Sequence, residues 1–183
     1  MTDSDRAFRT RATALRLLLF DVDGVLTDGA ILLHPDGSEL RRFHLQDGAA
    51  LVMARRAGLL VGLITGRRSP TTRLRALELG IPIVIEGAGD KLSAYRLILA
   101  DHGLRDDQVA YMGDDLQDLP VLGRVGLSAA PADAATDVVD RVHWVSARQG
   151  GAGAVREWIE RILRAREEWA PIVSSFVEDA ESS

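Results

Sequence analysis

The stretch of residues 17–29 constrains the fold of this chain more than any other part of its sequence. An apolar run of strand length, residues 17–20, ends at Asp21, meets a second acid at Asp23 and then reaches Gly24. Unbroken apolar runs of this length are typical of buried strands in parallel sheets. Since open α/β sheets bind ligands at the carboxyl ends of their strands, the two carboxylates are expected to belong to a binding site.

Asp21 and Asp23 face the same side if the backbone stays extended through Val22, because strand side chains alternate with a period of two. Two like charges in one small site either share a proton or bind a cation. The same residues also fit an ordinary acidic turn after a strand. A calcium loop is excluded, because it needs Gly at its sixth position and Glu at its twelfth, where this chain has Leu26 and Leu32.

Composition narrows the function classes. The 183 residues, 46% of them hydrophobic, suffice for one compact domain with a full core. A net charge of −5 provides no basic face for nucleic acid or for an anionic membrane, so the expected partner is a small anionic metabolite held locally. The absence of cysteine excludes disulfides, thiolate metal sites and a cysteine nucleophile, and the four scattered histidines have no metal-ligand spacing.

The expected organisation is a flexible N-terminus at 1–14, a single domain at 15–168 and a C-terminal tail at 169–183. Residues 1–14 lack the apolar core of a signal peptide, and no apolar run is long enough to span a membrane. A cytoplasmic location is therefore expected.

Strands alternate with helices along the domain. A Pro-Asp-Gly turn at 35–37 predicts a small β-hairpin. Apolar runs predict further strands at 59–64, 81–85, 108–112, 125–128 and 141–145, and helical patterns cover 47–57, 70–79 and 154–166. This order predicts an α/β fold with a doubly wound, mostly parallel sheet, a hairpin insertion and no cap domain.

Thr65, Gly66 and Arg67 directly follow the predicted strand at 59–64, and Ser69-Pro70 then begins a helix. Backbone N–H groups at a helix start, a hydroxyl and a guanidinium together suit a bound phosphate. Taken alone, the segment also fits an ordinary capped turn without a ligand.

Lys91 is the only lysine of the chain, because the other 21 of its 22 basic residues are Arg. An ammonium and a guanidinium differ in what they can bind, so this bias favours a specific role for Lys91. Taken alone, the residue also fits a solvent-exposed lysine left by chance. Asp90 is a suitable helix N-cap, which puts Lys91 in the first helical turn, where the macrodipole disfavours a cation unless an anion lies nearby.

Three carboxylates, on Asp114, Asp115 and Asp118, follow the predicted strand at 108–112. Carboxylates grouped at a strand end without a neighbouring cation suit a hard metal ion. Asp115 and Asp118 are also common residues for the first turn of a helix.

The order of these signals, Asp-x-Asp first, then Thr, then Lys and last Asp-Asp, resembles that of the haloacid dehalogenase superfamily over about residues 16–125. The chain resembles one family more closely, the 3-deoxy-D-manno-octulosonate 8-phosphate phosphatases. That likeness rests on the segments FDVDGVLTDG at 20–29, ITGR at 64–67, DKL at 90–92, GDDL at 113–116 and a glycine-rich entry to VRE at 155–157.

The resemblance implies a Rossmann-like, capless, Mg²⁺-dependent phosphatase that acts on a sugar acid phosphate. It also implies a homotetramer in which the hairpins and glycine-rich segments of neighbouring subunits close the site. Spacing independently supports the absence of a cap, because only 35 residues separate Gly29 from Thr65 and 25 separate Thr65 from Lys91.

The mechanism expected with this resemblance begins with Asp21 as a nucleophile that forms an aspartyl phosphate. Asp23 protonates the leaving sugar oxygen and later deprotonates water. Mg²⁺ is expected to be held by Asp21, the backbone carbonyl of Asp23 and Asp114, while Asp115 orients the groups around the metal.

The transferred phosphoryl oxygens are expected to be bound by Thr65, Gly66 and Lys91. By resemblance, Arg67 and Arg75 contact the anionic groups of the sugar acid, Arg75 across a subunit boundary.

Two departures from the family pattern keep the substrate open. Gln46 and Ala152 stand where members often carry a basic residue, so a nine-carbon sialic-acid-like 9-phosphate, such as 2-keto-3-deoxynononate 9-phosphate, is the alternative to the eight-carbon substrate. Alternatives from another class are a phosphorylation-switched receiver domain and a scaffold partner of a sugar nucleotidyltransferase. The order of the motifs argues against a receiver domain. In a receiver the single phosphoacceptor Asp lies on a middle strand and follows an acidic pair, whereas here Asp-x-Asp comes first and Asp-Asp last.

Overall fold

The structure is a computed structural model that describes residues 3–181. Eight strands and eight helices lie within that range. The strands are β1 (Leu17–Phe20), β2 (Leu32–Leu33), β3 (Glu39–Leu40), β4 (Leu60–Thr65), β5 (Ile83–Glu86), β6 (Val109–Met112), β7 (Leu127–Ala130) and β8 (Trp144–Val145). The helices are α1 (Asp3–Ala14), α2 (Leu45–Arg56), α3 (Pro70–Glu78), α4 (Lys91–His102), α5 (Leu119–Leu122), α6 (Thr136–Val139), α7 (Ala154–Ala165) and α8 (Trp169–Glu181).

Six strands form one sheet in the order β5-β4-β1-β6-β7-β8, and every neighbouring pair in it is parallel. Strand β1 lies in the middle, where Leu17 pairs with Leu60 of β4 on one side and with Val109 of β6 on the other. The chain first winds from β1 towards β5 and then restarts at β6 on the opposite side. The carboxyl end of β1 is therefore the switch point of the topology, where α/β sheets bind their ligands.

Alternate residues of β1 pack into two separate cores. Leu18 and Phe20 contribute to a core that includes residues of α1, α2 and α7, whereas Leu17 and Leu19 belong to a core with residues of α4, α5 and α6. All four side chains are fully buried, because each face of the sheet is covered by helices. The predicted doubly wound α/β fold is confirmed.

The predicted hairpin is formed by β2 and β3, which pair antiparallel with Leu32 opposite Leu40. It is a separate two-stranded sheet between β1 and α2. No larger insertion occurs at this point or between β4 and α4, so the described chain contains no cap domain.

Both ends of the described chain are helical. The N-terminal segment forms α1, where Phe8 makes an edge-on contact with Trp158 of α7 at 5.8 Å between ring centroids. The C-terminal segment forms α8, and Arg156 stacks on the buried Trp169 at its start, 4.9 Å from the ring centroid. These aromatic contacts pack both terminal segments against α7. Residues 1, 2, 182 and 183 lie outside the described residues.

Between residues 3 and 181 there is no helix with the length and apolar character that crossing a bilayer requires.

Candidate active site

Lys91 is the first residue of α4 and lies buried at the carboxyl edge of the sheet. Asp90 caps the helix by accepting hydrogen bonds from the backbone N–H groups of Leu92 and Ser93. The Lys91 Nζ atom lies 2.8 Å from Asp21 Oδ2 and 2.6 Å from Asp118 Oδ1. Burial alone would lower the pKa of Lys91, but the two carboxylates outweigh it and raise that pKa above its usual value. The sequence analysis expects an anion near a cation in this helical turn, and both Asp21 and Asp118 meet that need.

Asp118 uses both carboxylate oxygens to fix its surroundings. Its Oδ1 accepts from Lys91 and, at 2.6 Å, from the Tyr111 hydroxyl of β6. Its Oδ2 accepts from the backbone N–H groups of Asp114 and Asp115, at 3.1 and 3.2 Å. Burial and nearby carboxylates raise the pKa of Tyr111 well above its usual value, so that hydroxyl remains a donor. Asp118 therefore anchors the lysine and shapes the loop after β6.

Asp21, Asp114 and Asp118 form a carboxylate cluster, in which one oxygen of each lies within 4.8 Å of the others. Burial, together with the charge of Asp118, raises the pKa of Asp21 to about 7. Burial and the charges of Asp21 and Asp118 raise the pKa of Asp114 to about 8. One oxygen of Asp21 and one of Asp114, Oδ1 in each case, are buried without a hydrogen-bond partner among the described residues. Such oxygens fit a hard divalent cation, which would both pair them and favour their charged form.

Close backbone packing holds the loop after β1 against this cluster. A Cβ atom on Gly24 would lie 2.0 Å from Asp114 Oδ2, and a Cβ on Gly150 would lie 1.8 Å from the Gly24 carbonyl oxygen. Gly151 donates its N–H to the carbonyl of Val25 at 2.9 Å. The glycine-rich segment at 149–153 is thus a backbone support for the loop that carries the acids, since only glycine permits this approach.

Asp23 lies at the edge of the cluster with its side chain 24% exposed. Thr65, at the end of β4, donates a hydrogen bond from Oγ1 to Asp23 Oδ2 at 3.4 Å. The Arg41 guanidinium forms an ion pair with Asp23, with 2.7 Å between Nη1 and Oδ1. Asp23 is therefore contacted on both carboxylate oxygens, by a strand end and by the hairpin.

The loop after β4 carries the predicted anion-binding residues. The Arg67 N–H donates to Thr65 Oγ1 at 3.3 Å, and Gly66 lies between them. Ser69 occupies the N-cap position of α3 but makes no side-chain capping bond within the described chain, because its hydroxyl bonds Glu39 of β3 instead. Arg67 is half exposed, and its Nη2 lies 3.4 Å from Glu39 Oε2. The hairpin thus reaches the entrance of the site through Glu39.

Most of the predicted site residues meet at this edge of the sheet. The residues that lie within or beside the cluster are Asp21, Asp23, Thr65, Gly66, Arg67, Lys91 and Asp114.

Asp115 and Arg75 are placed elsewhere. Asp115 is exposed and accepts a hydrogen bond from the Leu116 N–H at 2.8 Å, so it caps a short helical turn and does not join the cluster. The anchoring position belongs to Asp118, because the turn at Leu116–Asp118 points that side chain inwards. Arg75 packs over the Phe43 ring and pairs with Glu78, away from the cluster of its own protomer.

Sequence reasoning missed the roles of Asp118, Tyr111 and Arg41. Asp118 had a visible signal in its place four residues after Asp114, but that position equally suits a helix start. The alternation of Glu39 and Arg41 on one face of a strand was the only sequence signal for the hairpin contacts. Tyr111 carried no separate signal, since a tyrosine inside a strand usually serves packing.

Comparison with known proteins identifies the family. No protein-family model matches the chain. The 3-deoxy-D-manno-octulosonate 8-phosphate phosphatase KdsC of Yersinia pestis is 44% identical over 157 residues, which cover 86% of this chain and 84% of that protein. The chain belongs to the 3-deoxy-D-manno-octulosonate 8-phosphate phosphatase family.

Two solved structures of 3-deoxy-D-manno-octulosonate 8-phosphate phosphatases share the fold. The enzyme from Moraxella catarrhalis, in complex with magnesium, phosphate and the KDO molecule, has a TM-score of 0.90 and 34% identity, covering 92% of this chain and 97% of its own. The cobalt-bound enzyme from Haemophilus influenzae has a TM-score of 0.84 and 36% identity, covering 87% and 93%. The haloacid dehalogenase fold expected from the sequence is confirmed by a structure named as a HAD superfamily (subfamily III A) hydrolase from Legionella pneumophila, which has a TM-score of 0.91 and 37% identity and covers 96% of this chain and 96% of its own.

The two positions at which the sequence analysis expects a departure from the phosphatase family pattern lie together. Gln46 and Ala152 both border a cavity of about 800 Å³, lined in addition by His44, Arg148 and Arg156. None of the residues of the carboxylate cluster lines that cavity. Within one protomer, Gln46 and Ala152 therefore border a different space from the one that the carboxylate cluster surrounds.

Proposed function

We propose that the protein is an Mg²⁺-dependent phosphomonoester hydrolase that cleaves 3-deoxy-D-manno-octulosonate 8-phosphate to the free sugar acid and phosphate. The observation that carries this proposal is that Asp21, Asp114 and Lys91 lie together at the carboxyl edge of the sheet, close enough to surround a single phosphate. Relatives of the same family bear the name of this activity.

Asp21 and Asp114 are the side chains suited to hold Mg²⁺. Each has one buried oxygen without a hydrogen-bond partner in the described part of the chain, whereas both oxygens of Asp118 are engaged by donors. The backbone carbonyl of Asp23 completes the proposed set. When bound, Mg²⁺ neutralises the carboxylates and lets an anionic nucleophile approach an anionic substrate.

Asp21 attacks phosphorus, and its new bond to phosphorus forms as the bond between phosphorus and the sugar oxygen breaks. Asp23 donates its proton to the leaving sugar oxygen, which departs as an alcohol. Water then attacks the aspartyl phosphate while Asp23 takes a proton from it, and inorganic phosphate leaves as Asp21 is restored. The position of Asp23 beside the cluster, bonded to Thr65, supports this division of roles.

Lys91, Thr65 and the N–H of Gly66 bind the transferred oxygens. Lys91 is buried between two carboxylates, and a bound phosphoryl group would add a further anion to the ammonium. Exclusion of water at this depth strengthens such contacts.

The sugar acid is recognised at the entrance of the site. Arg67 is half exposed beside Thr65, where its guanidinium can pair with the substrate carboxylate. Arg75 would reach a substrate only in a neighbouring subunit, because in its own protomer it packs over the Phe43 ring and pairs with Glu78. Gln46 and Ala152 keep the nine-carbon 9-phosphate as the second candidate substrate.

A homotetramer closed by its neighbours is part of this proposal. The hairpin exposes Leu32, Leu33 and Leu40 by 65, 72 and 65%, which favours burial against other copies of the chain. The cytoplasmic location expected from the sequence stays a prediction.

The test is a panel of sugar acid phosphates assayed with Mg²⁺ for kcat/KM, together with the variant Asp21→Asn. The wild type is expected to turn over many times and to prefer the eight-carbon 8-phosphate. Asp21→Asn is expected to lower kcat by at least about 1,000-fold, because the amide cannot attack phosphorus. Melting temperatures of both proteins serve as the folding control.

A preference for a nine-carbon substrate would transfer the assignment to the second candidate. A single phosphoryl transfer without turnover would instead favour the receiver-domain alternative, and inertness towards every phosphate would favour the scaffold alternative. Activity retained in Asp21→Asn would contradict the proposed nucleophile.

A further inference from the structure

The hairpin places one arginine inside the protein. The side chain of Arg41, which directly follows β3, is 1% exposed, whereas that of the next residue, Arg42, is 77% exposed and pairs with Asp28. A guanidinium is strongly disfavoured in the interior unless opposite charges compensate it. The buried position of Arg41 therefore requires an explanation that Arg42 does not.

Two carboxylates compensate the Arg41 charge. The Nη1 atom lies 2.7 Å from Asp23 Oδ1, and Nε lies 3.1 Å from Glu39 Oε1. Nη1 also donates to Thr72 Oγ1 at 3.4 Å, while Nε and Nη2 are both buried without a hydrogen-bond partner between residues 3 and 181, so the contact of Nε with Glu39 is an ion pair only. Since the hydrogen-bonding capacity of the guanidinium is not fully used, charge pairing with Asp23 and Glu39 is what holds it.

These contacts fix the orientation of the Asp23 carboxyl group. A carboxyl on a short side chain can rotate, but here Thr65 contacts Oδ2 from β4 and Arg41 contacts Oδ1 from the hairpin. Glu39 extends the same network to Arg67 and Ser69 at the site entrance. The plane of the carboxyl group is thereby set from two different parts of the fold.

We propose that Arg41 is a positioning residue for Asp23. It holds the carboxyl group in the orientation in which Asp23 gives its proton to the leaving sugar oxygen and later takes one from water, and Arg41 itself transfers no proton. This role rests on the proposed phosphatase function and deepens it. It gives the hairpin a part in the chemistry of its own subunit.

The test compares two substrates that differ in their need for a proton. A sugar 8-phosphate releases an alkoxide that must be protonated, whereas p-nitrophenyl phosphate releases a stable phenolate that leaves without one. In single-turnover measurements of the first phosphoryl transfer, Arg41→Met is expected to slow the sugar phosphate about 100-fold and p-nitrophenyl phosphate by no more than about threefold. Arg41→Lys is expected to recover part of the loss, because it restores the charge.

Two controls separate this role from a merely structural one. Arg42→Met removes the neighbouring exposed arginine and is expected to leave both rates unchanged. In an Asp23→Asn background, Arg41→Met is expected to have no further effect on the sugar phosphate, since a residue that acts through Asp23 loses its influence with it. If Arg41→Met is too unstable to assay, Arg41→Lys carries the same comparison.

An equal slowing of both substrates, or a full additional loss in the Asp23→Asn background, would overturn the role of Arg41 and leave the phosphatase function intact. Unchanged rates with both substrates would also overturn it. A wild-type protein inert towards both substrates with Mg²⁺ would overturn the proposed function itself, and the role of Arg41 with it.

Discussion

The carboxylate cluster and the hairpin lie on either side of Asp23, yet they are built in opposite ways. The acids of the cluster follow the fully buried four-residue strands β1 and β6, and the side chains of Asp21, Lys91 and Asp118 are at most 3% exposed. The hairpin consists of two-residue strands whose leucines are mostly exposed. The cluster is thus completed by its own protomer, whereas the hairpin presents an apolar surface without a cover in the described chain.

The difference indicates which parts of the site tolerate change. In the cluster, backbone pairing and close glycine contacts set the positions of charged groups, so small changes in shape propagate to the metal ligands. In the hairpin, Glu39 and Arg41 reach inwards, whereas Leu32, Leu33 and Leu40 are exposed, so we expect changes of these leucines to leave the protomer undisturbed. The three predictions that follow test this contrast, beginning with the largest expected effect.

Replacing Asp118 by Asn should damage the cluster severely. The carboxylate of Asp118 accepts from four donors, among them Lys91 and Tyr111, and an amide cannot satisfy this arrangement. We expect the free energy of unfolding in urea to fall by about 3 kcal/mol, because a buried ion pair loses one partner. Phosphatase activity should fall by about 100-fold, because Lys91 loses its anchor.

The matched control is Asp115→Asn, in the same loop. Its side chain is exposed and only caps a short turn, so stability should change by less than about 1 kcal/mol. Comparable losses in the two variants would contradict the assignment of the anchoring role to Asp118 and restore Asp115 to the site.

Gly150→Ala tests whether the glycine-rich segment supports the metal ligands. The added Cβ would overlap the Gly24 carbonyl, and Gly24 packs directly against Asp114. We expect a loss of about 2 kcal/mol in stability from overpacking and a smaller rise of the melting temperature on addition of Mg²⁺. Gly89→Ala is the control, since a Cβ at that position would have no described atom within 4 Å beyond its chain neighbours, and the backbone there has no positive φ.

A destabilised Gly150→Ala protein with an unchanged response to Mg²⁺ would separate the glycine contact from the cluster. The contact between Gly150 and Gly24 would then stabilise the fold without affecting the proposed metal ligands.

The smallest effect on the protomer is expected from replacing Leu32, Leu33 and Leu40 together by Ser. These side chains are exposed in the protomer, so its own stability should change by no more than about 1 kcal/mol. The assembly should dissociate to the protomer mass of 19.9 kDa, as measured by light scattering. Leu97→Ser, a substitution of an exposed leucine on α4, should leave the mass unchanged. A wild type that is already monomeric would contradict the tetramer.

Much of the site could be predicted because its signals are local. Asp21 and Asp114 follow a strand, Thr65 ends one and Lys91 begins a helix, and parallel strands bring their carboxyl ends to one edge. Arg41 could not be predicted in the same way, because its burial depends on where the chain after a two-residue strand meets Thr72 and Asp23.

The order of apolar runs and the residues at their ends by themselves determined the α/β fold, the absence of a cap and the acids that gather at the switch point. Only the tertiary structure decided that Asp118 and not Asp115 anchors Lys91. It also decided that the glycines at 150 and 151 support the backbone of the loop after β1, and that the hairpin contacts Asp23. Periodicity along a chain reports which face a residue takes within one element, whereas partners between elements depend on packing distances that no local pattern encodes.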